Sequence, residues 1–272
     1  MTPTWPGLGV ARTQIELKAF FRDQQAALFT FLLPVMLLVV FSAVFTGSFG
    51  GPPGEPAVRF RQYFAAGMIA SGIFSASFQS LAIGVAVEQH NGLLKRLGGT
   101  PLPRASYFLG KVAAMTTVAA LSASVMLAIG VAFYGLELPS DGSHWLALGW
   151  VFVLGVAACS LVGLAYTRVV RTAKGAPAVV APPYLLLQFI SGVFFVYTDT
   201  PEWMQRLAAL FPLKWMAQGL RYALLPEWFH VAEPAGRWEL GTIALVLVAW
   251  AAAGFVLTLR FFVWDRSDVP SG

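Results

Sequence analysis

The chain has 272 residues, of which 57% are hydrophobic and only 11% are charged, with a formal net charge of +5. Soluble globular domains carry about 25% charged residues, so this composition excludes an ordinary water-soluble fold. Because a charge at the centre of a bilayer costs on the order of 2.5–3.5 kcal/mol, the spacing of the charges predicts which segments lie in a membrane.

Six long runs of the sequence contain no charged residue, and they cover 24–54, 62–87, 112–136, 142–167, 175–198 and 240–259. About 20 apolar residues cross a hydrocarbon core of about 30 Å as a helix, so each run is long enough for one crossing. The runs are apolar all round and do not alternate in polarity, which excludes soluble core helices and a β-barrel. We therefore predict an all-α integral membrane protein with six transmembrane helices, at about 26–46, 62–87, 110–134, 145–167, 176–197 and 240–262.

The loops between these spans differ in their content of Lys and Arg. With the N-terminus inside, the cytoplasmic segments hold twelve of the 18 basic residues and the external segments hold six. The positive-inside rule therefore predicts that both termini are cytoplasmic, with a transmembrane domain at 26–264 and a short tail at 265–272. This topology accounts for the basic balance, so nucleic-acid binding is not needed to explain it.

Residues 1–25 are predicted to form an amphipathic helix ahead of the first span. Its apolar side, continued into the span, consists of Leu17, Phe20, Phe21 and Leu28. Its polar side consists of Arg12, Glu16, Lys18, Arg22 and Asp23. Such a helix can lie in the cytoplasmic membrane interface, with its cations near anionic lipid headgroups. The alternative is an anchor without any further role.

Uncharged polar side chains are sparse in the predicted spans, but two sets repeat every four residues. They are Ser71, Ser75 and Gln79 in the second span, and Tyr184 and Gln188 in the fifth. Residues four apart share one face of a helix, so each set either bonds a neighbouring helix or lines a path through the membrane. Helix–helix contact is the expectation for the serines, and a cavity is the expectation for the bulkier glutamines.

The segment between the second and third spans, 88–104, is the most basic loop and has a helical pattern. Its apolar residues Leu93, Leu94 and Leu97 lie opposite the charged residues Glu88, Lys95 and Arg96. Two glycines and a proline then end the helix. The pattern predicts a short cytoplasmic helix that binds a partner; the alternative is a positively charged anchor packed on the chain's own bundle.

The segment before the last span predicts two short external helices within 201–225. Apolar residues from Trp203 onward recur with helical spacing, Pro212 interrupts them, and the spacing then resumes. These helices either dip into the outer leaflet or rest on the bundle as a solvated lid.

The spans contain no charged side chain near their middle, so the proton relays and ion sites of gradient-driven transporters have no place in them. The sequence also lacks a phosphate-binding loop, because Gly110-Lys111 has no glycine at the required upstream spacing. The three histidines are scattered and match neither a zinc site nor a catalytic pair. We therefore expect a chain that is not an enzyme and binds no cofactor or metal itself.

The order of these parts resembles the membrane subunit of type-2 ABC exporters, the class that includes daunorubicin-resistance permeases. The most specific stretch is 93–104, LLKRLGGTPLPR, followed by Gly110-Lys111, and it is similar to the family's coupling helix and turn. A second stretch, 211–221, is similar to the family's hairpin of external helices, to which Trp203, Pro212 and Arg221 are assigned.

The resemblance implies a permease dimer, of two identical or two different chains, in a bacterial inner (plasma) membrane. It implies a separate dimer of ATPase subunits, which would bind ATP and Mg and dock on 88–97 and on the N-terminal helix. The first, second and fifth spans would line the substrate route at the dimer interface.

The resemblance also implies a hydrophobic or amphiphilic cargo, such as a drug, a lipid or a lipid-linked glycan. Aromatic side chains such as Phe78 and Phe189 suit an apolar cargo. A nucleotide-independent channel or facilitator and a non-transporting membrane scaffold are the two alternatives from other classes.

Overall fold

The computed structural model describes residues 5–100, 103–139 and 141–262. Residues 1–4 of the predicted N-terminal segment, Pro101 and Leu102 of the predicted turn, and the predicted tail 265–272 lie outside these ranges. The described long helices are α1 (Trp5–Arg22), α2 (Gln24–Val44), α3 (Phe60–Phe74), α4 (Leu81–His90), α6 (Arg104–Tyr134), α7 (Gly142–Tyr166), α8 (Ala176–Ile190), α10 (Pro212–Leu224) and α11 (Leu240–Phe261).

Shorter elements connect these helices. They are α5 (Leu93–Gly98), α9 (Glu202–Ala208), a π-helix at Ser75–Ser80, and 3₁₀ turns at Thr167–Val169, Tyr197–Asp199 and Glu227–Ala232. Two strands, β1 (Ser48–Phe49) and β2 (Val58–Arg59), pair antiparallel in a small hairpin after α2, with Ser48 opposite Arg59.

The second predicted span lies at the centre of the bundle. α3, the π-helix and α4 form one helical rod from Phe60 to His90, and 78% of its most apolar window is buried by the rest of the chain. Neighbouring helices approach the rod closely where a glycine faces it. A Cβ on Gly163 of α7, for example, would lie 3.0 Å from the carbonyl oxygen of Phe78. Small residues at such contacts are typical of helix packing in membranes.

The other helices pack on this rod and on one another. α11 packs most extensively on α7, α1 packs on α6, and α10 packs on both α7 and α3. We name the two ends of the bundle after the short helices they carry: the α5 end, with α1 and the start of α6, and the α10 end, with the β-hairpin.

Within the described residues, five helical segments are long and apolar enough to cross a membrane: α2, the α3–α4 rod, α6, α7 and α11. The predicted fifth span, 176–197, differs, because only its first part is helical. α8 ends at Ile190, and Gly192 then takes a φ of +73°, a left-handed conformation that ends the helix. With 15 residues, α8 is about 22 Å long, shorter than a hydrocarbon core of about 30 Å.

The N-terminal helix packs differently from its expected amphipathic pattern. Glu16, assigned to the polar side, is only 5% exposed and faces α6, whereas the apolar side chains of Ile15 and Phe21 are about half exposed. An ion pair with α6, described below, is the reason that Glu16 is buried.

Candidate functional site

The polar residues predicted on the second and fifth spans meet in one place. Ser71 of α3 donates a hydrogen bond of 2.7 Å from its Oγ to Oε1 of Gln188 in α8, and both side chains are 1% exposed. Within this chain these two residues form a helix–helix hydrogen bond. Such bonds contribute about 0.6 kcal/mol on average in membrane proteins.

Ser75 and Gln79 belong to the π-helix, a feature that the sequence pattern did not predict. The Oγ of Ser75 lies 3.5 Å from Oε1 of Gln79, and both residues line a cavity between α1, α2, α4 and α6. π-Helices are rare and are frequently found at functional sites. The geometry therefore separates Gln79, which faces a cavity, from Gln188, which is bonded inside the helix packing.

The predicted aromatic residues also differ in whether they are buried or exposed. Tyr184 and Phe78 are buried, and both stack on Phe74, with ring centroids 5.5 and 5.0 Å away. Phe189 is 44% exposed on the outer side of α8, where its ring contacts Phe194 at 4.9 Å. Only Phe189 of these candidates is available to a partner outside the chain.

A buried cluster of ions joins three helices at the α5 end. The Nζ of Lys111 in α6 donates to Oε2 of Glu16 at 2.5 Å and to Oε1 of Glu88 at 2.6 Å. Arg12 pairs with Glu16 one turn away, and the hydroxyl of Tyr107 donates to Glu88 at 2.8 Å. Lys111 is 6% exposed, so the cluster fastens α1, α4 and α6 together in a poorly hydrated place.

Lys111 was not predicted as a site residue, and Glu16 was predicted on the polar side of the N-terminal helix. One sequence signal for a special role of Glu16 was available, because Glu16 is the only acidic residue of α1. The other signal is Gly110: a Cβ there would lie 2.5 Å from Cγ of Arg12, so the glycine lets α1 approach α6 closely. Neither signal identifies its partner, because α1 and α6 are far apart in the sequence.

The predicted coupling segment forms α5, which follows α4 through a turn at Gly92, with a φ of +72°. Its apolar ridge faces the protein: Leu94 is fully buried, and Leu93 and Leu97 are partly buried. Lys95 and Arg96 are exposed. Glu88, assigned to the same charged side, points instead into the ion cluster.

α4 is also joined to the segment between α7 and α8. The ring of His90 lies 2.8 Å from the carbonyl oxygen of Ala86 through Nδ1, and 2.7 Å from that of Arg171 through Nε2. The helix that precedes α5 is therefore bonded at this end both to the ion cluster and to the segment between α7 and α8.

Arg221 is a buried charge at the α10 end. Its guanidinium forms two bonds to Glu233, of 2.6 and 3.2 Å, lies 4.8 Å from the ring centroid of Tyr63, and is completely shielded from solvent. Burial has the largest single effect and lowers the pKa of Arg221, but the charge and hydrogen bonds of Glu233, together with Tyr63 and Tyr197, raise the pKa on balance. The ion pair joins α10 to the end of the 3₁₀ turn Glu227–Ala232, and the contact of Arg221 with Tyr63 links α10 to α3.

The other predicted residues of this region have different surroundings. Pro212 is buried and begins α10, a position where its missing N–H costs nothing. Trp203 of α9 is 65% exposed. Lys214, which was not predicted, is 3% exposed and donates to Oε1 of Gln218 at 2.6 Å, and burial lowers its pKa to about 8.

Most of the chain is similar to known proteins. A family profile described as "ABC-2 family transporter protein" matches residues 52–260. The chain is 23% identical over 219 residues to the inner membrane transport permease YadH of Escherichia coli strain K12, an alignment that covers 79% of this chain and 83% of that protein. It is 23% identical over 236 residues to the daunorubicin resistance ABC transporter permease protein DrrB1 of Streptomyces coeruleorubidus, covering 84% and 77%.

Proposed function

The chain belongs to the ABC-2 family of transporter proteins and is the membrane subunit of an ABC exporter, and we propose that it moves a hydrophobic or amphiphilic compound out of the cytoplasm. The resemblance derived from 93–104 and 211–221 is thereby confirmed. A drug, a lipid and a lipid-linked glycan are the candidate cargoes. The proposed route along spans two and five has uncharged polar and aromatic residues, which suit a cargo with a large apolar part.

We propose that a separate ATPase dimer, with its own bound ATP and Mg, drives this movement. The observation that supports the docking site is the division of α5 into two sides. The leucine ridge of α5 packs against the protein, while Lys95 and Arg96 of α5 are exposed. The preceding helix, α4, is held to the bundle by the ion pair of Glu88 with Lys111. A rigid basic helix of this kind suits an acidic surface on a partner.

Charge reversal on α5 tests the docking proposal. The double variant Lys95→Glu/Arg96→Glu should reduce co-purification of a co-expressed ABC ATPase subunit by about tenfold or more, because like charges replace opposite ones in the interface. The matched control is Arg168→Glu/Lys174→Glu, which makes the same change of charge at exposed positions between α7 and α8. Equal co-purification of the α5 variant and the unaltered chain would remove α5 from the interface.

A second permease chain is the proposed partner within the membrane. α2 has only 17% of its most apolar window buried, and large apolar residues such as Phe29, Met36 and Val40 are exposed along it. Phe189 adds an exposed aromatic side chain on α8. Spans one, two and five would then line the route between the two chains, with Ser75 and Gln79 beside it.

The proposed location is a bacterial inner membrane, with both termini cytoplasmic and α8 completing six crossings. In this arrangement 1–25 is the interface helix, 26–264 is the transmembrane domain with the coupling segment 88–104 and the external helices 201–225, and 265–272 is a cytoplasmic tail. The α5 end then faces the cytoplasm, where its basic residues satisfy the positive-inside rule.

A further inference from the structure

Both ring nitrogens of His90, the last residue of α4, face backbone carbonyl oxygens. Nδ1 lies 2.8 Å from the oxygen of Ala86, one turn earlier in α4, and Nε2 lies 2.7 Å from the oxygen of Arg171, between α7 and α8. A carbonyl oxygen only accepts hydrogen bonds, and a neutral imidazole carries a single N–H. The two contacts are therefore both hydrogen bonds only when the ring is the doubly protonated imidazolium.

The end of a helix is a favourable place for this cation. His90 lies in the last turn of α4, where the unpaired carbonyl groups of the helix give a partial negative charge. The carboxylate nearest in sequence, Glu88, is already paired with Lys111 and Tyr107 in the ion cluster. The imidazolium is thus stabilised by its two hydrogen bonds and by the helix end.

The charged residues of the neighbouring segments oppose the imidazolium, because they are cations. They are Arg168, Arg171 and Lys174 before α8, and Lys95 and Arg96 in α5, and all of them are exposed. The titratable group at the end of α7, Tyr166, is neutral and donates to the carbonyl oxygen of Val179 at 3.3 Å. Histidine side chains change their charge between about pH 5 and 8, so these opposing effects leave His90 sensitive to pH in this range.

Loss of one proton breaks one of the two contacts, and the backbone decides which one. Ala86 belongs to α4, so the helix holds its carbonyl oxygen beside Nδ1. Arg171 lies in the segment 170–175, which is neither helix nor strand and is able to move away. A neutral ring therefore keeps its N–H on Nδ1. Nε2 then presents a lone pair to the oxygen of Arg171, and the two acceptors repel each other.

The bond to Arg171 affects α5 because the two are close in the chain. Only Asn91 and Gly92 separate His90 from Leu93, the first residue of α5. The ion pair of Glu88 with Lys111 holds α4 to α6, and His90 holds the end of α4 to the segment before α8. The position of α5 relative to that segment depends on the second of these links.

We propose that the imidazolium of His90 is a positioning residue for α5, which it holds to the segment 170–175 at low pH and releases as the pH rises. The proposal rests on the proposed docking of an ATPase on α5. It adds that this docking is stronger when the cytoplasmic side is more acidic.

A distance measurement on the full-length chain in nanodiscs, without an ATPase, tests the link itself. Spin labels are placed at Gly98→Cys and Lys174→Cys, which are exposed, and a Cβ on Gly98 meets no atom within 4 Å. The native Cys159 is fully buried and remains unlabelled. Between about pH 6 and about pH 8.5, the ratio of separated to joined populations should rise about tenfold, the effect of one charge-assisted hydrogen bond.

His90→Gln is neutral at both pH values and should give the separated distribution at both. The matched control is His230→Gln, because Nδ1 of His230 also faces a carbonyl oxygen of its own segment, that of Glu227 at 2.6 Å, but at the α10 end. This control should keep the full pH response. A distance distribution that does not change with pH in the unaltered chain, or that changes equally in His90→Gln, would overturn the proposal.

Co-purification of a co-expressed ABC ATPase subunit, with the native residues at 98 and 174, tests the consequence for docking. At about pH 6 the unaltered chain should retain about tenfold more ATPase than His90→Gln, and at about pH 8.5 the two should retain equal amounts. Equal retention at both pH values, despite a pH-dependent distance, would overturn the positioning role and leave docking on α5 standing. An unaltered chain that retains no ATPase at either pH would overturn the proposed docking itself, and the positioning role with it.

Discussion

Buried charges in this bundle have two different kinds of surroundings. Lys111 and Arg221 each face carboxylates within hydrogen-bond distance. Lys214 faces an amide oxygen of Gln218 and the rings of Trp215 and Tyr197, at 3.4 and 5.4 Å from their centroids. Among the described residues no carboxylate lies within ion-pair distance of Lys214, so the charge of this lysine opposes folding.

The consequence is a pH dependence of stability that can be measured. The pKa of Lys214 falls from 10.5 to about 8 in the folded chain, so between these values the unfolded chain binds more protons than the folded chain. The free energy of unfolding should therefore rise as the pH rises through this window, by up to about 3 kcal/mol. Below pH 8 both states are protonated and the full cost of burying the charge remains.

Lys214→Met should remove this rise and increase the thermal unfolding midpoint at pH 7. The measurement is thermal unfolding of the purified chain in detergent, repeated from pH 7 to 10. Arg206→Met is the control, because Arg206 and its partner Glu202 are both more than 80% exposed and should not affect stability measurably. A variant with the same pH profile as the unaltered chain would show that Lys214 is hydrated or paired.

At the scale of elements, α11 approaches the backbone of α7 closely at Gly254. A Cβ on Gly254 would lie 2.8 Å from the backbone nitrogen of Val162 and 2.9 Å from the carbonyl carbon of Leu161. Backbone atoms cannot rotate away as a flexible side chain can, so a larger residue must separate the helices. Gly254 therefore determines how closely the last predicted span approaches the fourth.

Gly254→Val should destabilise the chain by about 1–3 kcal/mol, the usual cost of overpacking. Gly149→Val, in a helix position with no atom within 4 Å of the added Cβ, is the control for the change in helix propensity. Thermal unfolding midpoints in detergent measure the stability of both variants. A similar midpoint for the two variants would mean that α11 can shift relative to α7 at little cost.

At the scale of the whole molecule, α8 decides the topology. With six crossings, Lys174 before α8 and Glu202 after it lie on opposite sides of the membrane; with α8 not crossing, they lie on the same side. Both residues are exposed, and the native Cys159 is fully buried, so it does not interfere with labelling of new cysteines.

Single variants Lys174→Cys and Glu202→Cys should react differently with a membrane-impermeant maleimide in intact cells. We expect labelling of Glu202→Cys before permeabilisation and labelling of Lys174→Cys only after it. Arg96→Cys serves as the reference for the proposed cytoplasmic side, since Arg96 belongs to the basic loop. The same pattern for the two positions on either side of α8 would reduce the count to five crossings.

The amino-acid sequence by itself determined the lipid environment, the places of the apolar helices, and the short helices α5, α9 and α10. These follow from local composition, because the cost of placing a charge in hydrocarbon and the periodicity of a helix depend on neighbouring residues alone. Pro212 at the start of α10 is a further local signal of this kind.

Only the tertiary structure decided which polar residues are bonded and which face a cavity. Ser71 and Gln188 meet across two helices, and Lys111 finds Glu16 and Glu88 from separate segments. The π-helix likewise depends on how the central rod and its neighbours pack. These features arise from contacts between residues distant in the sequence, and the pattern of one helix does not contain the identity of the residue that will face it.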